Sequence, residues 1–305
     1  MNLEKMKVNG FDIPILLIGY TRPSMTAKQV EALRAIKPNK IYFYLDGPKS
    51  IKEADLMRCT EMELNKIDWD VSIIKNITTN SQGAAKSITS AISWAFEREK
   101  NLIILEDDVI PCKEFFSFCE YYLHQDLLGS NIALISGHQI KLNNFNGTLM
   151  SQLSIYPRIW GWATQKDVWE KFDYERKYRL LEKIFHTWKI SNYNLLFFSY
   201  LCFVNLRIRL QSLDTWDYQF LYFTNSRRYF CLVPTANLVK NLGFGPEATN
   251  TKLDKIDQEY LGSGLQTNLI DIRKLEYSKS GDVEWRKYRL RMVFWSAINK
   301  FKRKF

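Results

Sequence analysis

Apolar and polar positions alternate in blocks through the first 136 residues. Ile13–Gly19 is an apolar run, followed by a helical stretch from about Met25 to Lys37. Lys40–Leu45 is the next strand candidate; a helix near Ile51–Ile67 and a strand at Asp70–Lys75 follow. The next helix carries Ile88, Ala91, Ile92, Ala95 and Phe96, a spacing that makes one face apolar. Leu102–Leu105 is long enough for a buried strand and too short for a helix. A helix near Glu114–Leu127 and a strand at Ile132–Ser136 close the series. Strand starts about 30 residues apart have the size of a βαβ unit. Such units build a parallel sheet with helices on both faces, so the pattern predicts an α/β fold with a Rossmann-like layer. It contains no G-x-G-x-x-G, which disfavours dinucleotide binding.

After about residue 137 the alternation stops, and aromatics, short strands and loops are expected through roughly residue 251. Lys252–Asp282 is polar, with Gly262 and Gly264, and reads as a wrapping segment or linker. The expected organisation is a Rossmann-like half over 1–136, a second half of the same domain over 137–251, and a C-terminal segment over 252–305.

Composition narrows the class. With 46% hydrophobic and 25% charged residues, collagen-like and disordered readings are out. Five cysteines without C-x-x-C spacing argue against a disulfide scaffold or zinc knuckle and favour a reducing compartment. Three scattered histidines make a multi-histidine metal site improbable. Met1–Asp12 lacks a signal-peptide core, and the longest nearly apolar run, Tyr193–Val204, is too short to span a bilayer as a helix. The expected location is the cytoplasm, with the inner membrane face as a docking surface.

The net charge of +10 matters because of where it sits. Eight basic residues lie between Arg286 and Lys304, and no acid follows Glu284. Leu290, Phe294, Ile298, Phe301 and Phe305 recur among them at helical spacing. A basic amphipathic helix suits an anionic membrane surface; a final helix docked on the domain fits the same pattern. No nucleic-acid module accompanies the charge, so no nucleic-acid partner is expected.

Glu106-Asp107-Asp108 follows directly on the Leu102–Leu105 run. Ligands of open parallel sheets bind beyond the carboxyl ends of the strands. Three consecutive acids there repel one another unless a cation or hydrogen-bond donors sit among them. Hard oxygen ligands suit Mg²⁺ or Mn²⁺, which usually share their shell with substrate phosphates. A solvated acidic turn closing a strand is the plain alternative.

Leu105-Glu-Asp-Asp-Val-Ile-Pro111 followed by Phe115-Phe116 resembles the metal-binding signature of GT-A fold, nucleotide-sugar-dependent glycosyltransferases. The likeness is to N-acetylglucosaminyltransferase I and its bacterial, haemolytic-protein-like relatives. Further segments resemble the family in the same order: Pro14–Pro23, Tyr44–Lys49, Asn80–Ile88, Ile159–Thr164, Thr215–Phe220 and Asn237–Gly245. The resemblance covers roughly residues 13 to 251.

It implies roles for particular residues. Gly19, Tyr20, Thr21 and Arg22 would meet the nucleotide, with Arg22 a bidentate donor to phosphate. Asp46 would accept from uracil N3–H, which favours a UDP donor; an ordinary Asp-Gly turn is the alternative. Lys86 would reach the diphosphate from the start of a helix. Asp108 would bind Mn²⁺ or Mg²⁺, which acts as a Lewis acid on the leaving diphosphate. Asp107 and Glu106 would contact ribose, sugar or metal-bound water. Trp162, in Trp160-Gly-Trp162, would wall the sugar pocket. Asp217 would be the base that deprotonates the acceptor in an inverting displacement, with Asp214 the nearby competitor. The family pattern ends in a histidine where this chain has Asn250, which weakens or removes that contribution.

The expected function is thus an inverting, metal-dependent glycosyltransferase that moves a sugar from a nucleoside-diphosphate donor to a bacterial surface glycan or lipid-linked acceptor. A sugar-phosphate nucleotidyltransferase shares the sheet and the metal but calls for a Gly-rich basic loop after the first strand, where this chain has one glycine and one arginine. A non-enzymatic membrane-surface binding protein is the remaining alternative.

Overall fold

The runs richest in apolar and β-branched residues become the central strands of one sheet. The computed structural model describes residues 11–140, 147–175, 180–243 and 266–302. Strands β1 (Ile15–Gly19), β2 (Lys40–Leu45), β3 (Ser72–Ile77) and β4 (Asn101–Glu106) alternate with helices α1 (Pro23–Arg34), α2 (Ile51–Met62) and α3 (Ala84–Phe96). All four strands run parallel. β1 and β2 are buried almost throughout because helices cover both faces, whereas the edge strand β3 is half exposed. Next come β5 (Val109–Pro111), α4 (Lys113–Leu123) and β6 (Ile132–Ser136).

The chain then adds β7 (Thr148–Leu149), β8 (Ser151–Ser154), β9 (Trp162–Gln165), α5 (Lys166–Trp169), α6 (Leu180–Ile190), α7 (Leu195–Arg209) and α8 (Asp217–Ser226). It ends with β10 (Phe230–Pro234), β11 (Val239–Asn241), β12 (Gln266–Thr267) and α9 (Lys279–Lys302). The eight-stranded sheet has the order β3-β2-β1-β4-β9-β6-β10-β8. β9 is antiparallel to both β4 and β6, and β8 is an antiparallel edge on β10. The fold is therefore α/β with a mostly parallel sheet flanked by helices. β2 lies on one side of β1 and β4 on the other, so the crevice where ligands bind opens beyond Gly19 and Glu106, with Ile18 paired to Glu106.

The second half departs from the expected strands and loops. Helices α6, α7 and α8 occupy much of it. In α7 the apolar residues do not form one stripe: Phe197, Leu201 and Val204 are buried while Leu195, Leu196, Phe203 and Leu206 are exposed. A helix that is apolar all round shows no 3.6-residue period, so its signal is lost in a continuous apolar run. These helices and α9 enclose a second core of Ile140, Tyr156, Ile190, Phe197, Leu201 and Trp285.

The first turns of α9 are docked. Asp282, Trp285 and Arg286 are buried. Arg286 donates to Tyr156 Oη at 3.2 Å, and Arg289 donates to Tyr218 Oη at 3.0 Å. Two charges read as part of a basic tail are thus used inside the fold. Within the expected wrapping segment, β12 pairs with β7 and Tyr277 bridges to Leu153. Gly262, Gly264, Asn250 and the side chains of Ile298, Phe301 and Phe305 lie outside the described residues.

Candidate active site

β4 delivers Glu106, Asp107 and Asp108 to the crevice, and the chain turns back at once into β5. Gln29 of α1 fixes this turn, its Nε2 donating to the carbonyls of Glu106 (2.7 Å) and Val109 (3.1 Å). β11 pairs antiparallel with β5, and the Leu242 N–H donates to the Asp108 carbonyl at 2.7 Å. A Cβ on Gly243 would stand 2.0 Å from Asp108 Oδ2, so a side chain there would displace the Asp108 carboxylate.

Arg22, at the end of β1, faces the acids. Its Nη1 lies 3.2 Å from Asp107 Oδ1 and 3.5 Å from Asp108 Oδ2. One guanidinium does not balance three acids. Burial, then the charges of Asp108, Asp107 and Asp217, push the Glu106 carboxyl well above its ordinary value. Burial raises Asp107 to about 7 although Arg22 opposes the shift, and Asp108 rises for the same reason.

Across the crevice stands Asp217, the first residue of α8. Its Oδ1 accepts from Thr215 Oγ1 and from the Tyr218 N–H, the latter at 3.0 Å. Between the walls lies a cavity of about 700 Å³, whose lining includes Arg22, Glu106, Asp108, Trp160, Asp217 and Arg289. That volume falls within the range of small-molecule sites. The arrangement can hold an anion near Arg22 while presenting a carboxylate to a second substrate.

Other expected site residues stand elsewhere. Trp162 is fully buried and stacks on Trp216 at 5.6 Å. It belongs to the aromatic core, whereas its neighbour Trp160 lies on the cavity wall, as does Trp216. Asp46 is only 7% exposed. It accepts from the Gln82 N–H (2.9 Å), Ser81 Oγ (2.9 Å) and Thr78 Oγ1 (3.4 Å). Both its oxygens therefore brace the loop before α3. Gly47 makes that packing possible, since a Cβ there would come within 2.3 Å of the Asn80 backbone.

Lys86 is exposed and does not line the large cavity. The helix end assigned to phosphate is taken by Asp214, whose carboxylate accepts from the N–H groups of Ala84 (2.7 Å) and Ala85 (3.2 Å). Asp214 is thus a helix cap, which sets it apart from Asp217. Tyr20 donates to Glu53 Oε2 at 2.8 Å, away from the acids. Gly19 is buried at the end of β1, and Thr21 is half-buried beside Arg22.

Sequence reading missed Gln29, Arg158 and Arg289 as site residues. Only Arg158 carried a signal, adjacency to the Ile159-Trp-Gly-Trp162 segment. Among the described residues, no group of three or more His, Cys, Asp or Glu side chains is arranged as a metal cage. Mutually repelling carboxylates short of positive charge suit a hard cation that takes most of its shell from a ligand.

No family model matches the chain, and no curated protein matches it in sequence. Solved structures with a similar course include a provisionally named glucose-1-phosphate thymidylyltransferase from Bacillus anthracis in complex with a sucrose (10% identity, TM-score 0.32, covering 54% of this chain and 76% of that one). Another is a glycosyltransferase involved in glycosylation of the major capsid of PBCV-1 (14%, 0.27, 59% and 66%). A third is a 4-diphosphocytidyl-2C-methyl-D-erythritol synthase from Anaerococcus prevotii (8%, 0.31, 55% and 78%). At these TM-scores the likenesses carry no argument about this chain.

Proposed function

We propose that this protein is a glycosyltransferase that moves a sugar from a nucleoside-diphosphate donor to a hydroxyl acceptor with inversion. The supporting observation is the pair of facing walls: Arg22 and the acid turn on one side, Asp217 on the other. A hydroxyl needs a base to become a nucleophile. The phosphate of a sugar phosphate is already ionised at neutral pH and needs no base, so a carboxylate positioned as Asp217 is favours the glycosyltransferase reading.

In this reading Asp217 takes the proton from the acceptor hydroxyl as its oxygen bonds to the anomeric carbon. The bond from that carbon to the diphosphate oxygen breaks, and the nucleoside diphosphate leaves with the electron pair. Arg22 pairs with a diphosphate oxygen. Thr215 Oγ1 and the Tyr218 N–H hold the carboxylate of Asp217 in place. Asp108 would hold Mn²⁺ or Mg²⁺, which supplies Lewis-acid stabilisation of the leaving group.

A panel of UDP-, GDP- and dTDP-sugars, hydrolysed or transferred with and without Mn²⁺, tests the reading. Divalent-dependent release of nucleoside diphosphate is the expected result. Pyrophosphate release from a nucleoside triphosphate and a sugar 1-phosphate would instead establish the nucleotidyltransferase.

A second proposal concerns location. Among the described residues, no helix is long and apolar enough to cross a membrane. Leu181, Phe185, Leu195, Leu196, Phe203 and Leu210 are nonetheless exposed on α6 and α7, near Lys189 and Arg209. That mixture suits an anionic bilayer surface, which would bring lipid-linked acceptors to the cleft. Cosedimentation with phosphatidylglycerol vesicles, lost on Leu195→Glu with Leu196→Glu, is expected; unchanged binding would move the contact to α9.

A further inference from the structure

A smaller cavity of about 90 Å³ opens beside Asp217, and both cavities share Trp160, Tyr200, Asp217, Tyr218 and Arg289. One probe sphere of about 10–15 Å³ suffices for a water, so the smaller cavity has room for a polyatomic group. Its inner lining includes Arg158, which is 2% exposed.

The partners of Arg158 are few. One Nη1–H donates to Gln139 Oε1, and the guanidinium carbon lies 4.6 Å from the centre of the Trp285 ring. Its Nε and Nη2, both buried, have no hydrogen-bond partner among the described residues. Asp282 is the carboxylate whose charge acts on it. The oxygens of Asp282 accept instead from Ser154 Oγ (2.5 Å) and the Ile155 N–H (3.1 Å). An unpaired edge of a buried guanidinium is costly, and a carboxylate or phosphate, with two oxygens spaced for bidentate pairing, satisfies such a fork. Arg289 adds a second positive charge on the shared wall.

We propose that the Arg158–Arg289 cavity is an anion subsite for a carboxylate or phosphate group carried by the acceptor. It would hold the charged group of the acceptor beside Asp217, so that acidic glycans or phosphate-linked sugars are selected over neutral ones. Calling the occupant part of the acceptor rests on the glycosyltransferase reading. Oxyanion binding itself is read without donor or turnover, so failure of one is distinguishable from failure of the other.

The test is titration of the full chain with inorganic phosphate and, separately, acetate at constant ionic strength, followed by the fluorescence of Trp160 and Trp285. Saturable binding is expected in the wild type, and Arg22→Gln, which removes the phosphate contact on the acid wall, separates any phosphate bound there from phosphate bound at this subsite. Charged hydrogen bonds are worth about 1.5–3 kcal/mol, so Arg158→Gln should weaken binding about 10- to 150-fold. If that variant fails to fold, Arg289→Gln at the cavity mouth decides, and it too should bind at least several-fold more weakly. Preference between phosphate and acetate tells which chemistry the acceptor brings. Absence of saturable binding overturns the proposal, as does unchanged binding in both Arg158→Gln and Arg289→Gln. Loss in Arg22→Gln with retention in Arg158→Gln also overturns it, because the anion then sits on the acid wall.

Discussion

The two walls of the cleft are charged in opposite senses. On the sheet side three acids face one arginine, and burial raises all three carboxyls. On the helical side Arg158 and Arg289 share the smaller cavity's lining with Asp217, while Asp282 acts on Arg158 from outside that lining, and burial pushes Arg158 down to about 10. Neither imbalance favours the empty protein, because each desolvates charge without full pairing. Under the proposed function each is relieved by a ligand of the complementary kind, a cation with its diphosphate on one side and an anionic acceptor group on the other. If the cleft serves two partners in this way, variants on each wall should fail in different ways.

The largest effect is expected on the sheet side. Asp108→Ala should abolish divalent-dependent donor turnover while far-UV circular dichroism stays unchanged, since this side chain faces the crevice. Full turnover with normal folding would remove Asp108 from metal binding. Asp217→Asn comes next. It keeps size and hydrogen bonding but cannot take the proton, so transfer should fall about 10²–10⁴-fold. Donor affinity, set on the opposite wall, should stay within about twofold by calorimetry, a shift of roughly 0.4 kcal/mol. A joint loss of donor affinity and rate would mean that the walls do not act separately.

The sheet side was far more legible in the sequence than the helical side, and the reason is contact range. β2 and β6 have the bounds read from local pattern, Lys40–Leu45 and Ile132–Ser136. The acid turn was visible because its residues are consecutive. The pocket around Arg158 is assembled from segments far apart in the chain, as the contact of Arg289 with Tyr218 across 71 positions shows. The contacts of Asp46 were hidden for the same reason: its partners, Thr78, Ser81 and Gln82, lie more than 30 positions away. Trp162 and Trp160 differ by two positions in a short strand entry, and only the paired strand decides which ring faces the core.

Asp214 sharpens the distinction between the two neighbouring acids. It caps α3 through two backbone N–H groups. Asp214→Ala should therefore lower stability by about 1 kcal/mol, the usual worth of such a cap, read as a shift in the urea midpoint. Transfer at saturating substrates should change far less than in Asp217→Asn. A rate loss as large as that of Asp217→Asn would reverse the two roles.

The smallest effect is nil at neutral pH and appears only in acid. His138 is buried on the helical side, stacked against Trp160 at 4.2 Å and edge-on to Trp285 at 5.4 Å. Burial, then the charges of Arg158 and Arg289, holds its imidazole well below the ordinary histidine value of 6.5. The folded protein thus keeps this ring neutral where the unfolded chain protonates it. Below about pH 6.5 the unfolded state binds one more proton, so stability falls as pH drops, by up to about 1.4 kcal/mol per pH unit. His138→Gln removes that proton uptake. The carboxyls of the opposite wall titrate in both proteins and cancel in the difference. Urea midpoints at pH 7.5 and 5.5 should show the variant losing less stability than the wild type over this interval. Parallel losses would mean that His138 is protonated in the folded state, and that the two arginines do not dominate the charge on that wall.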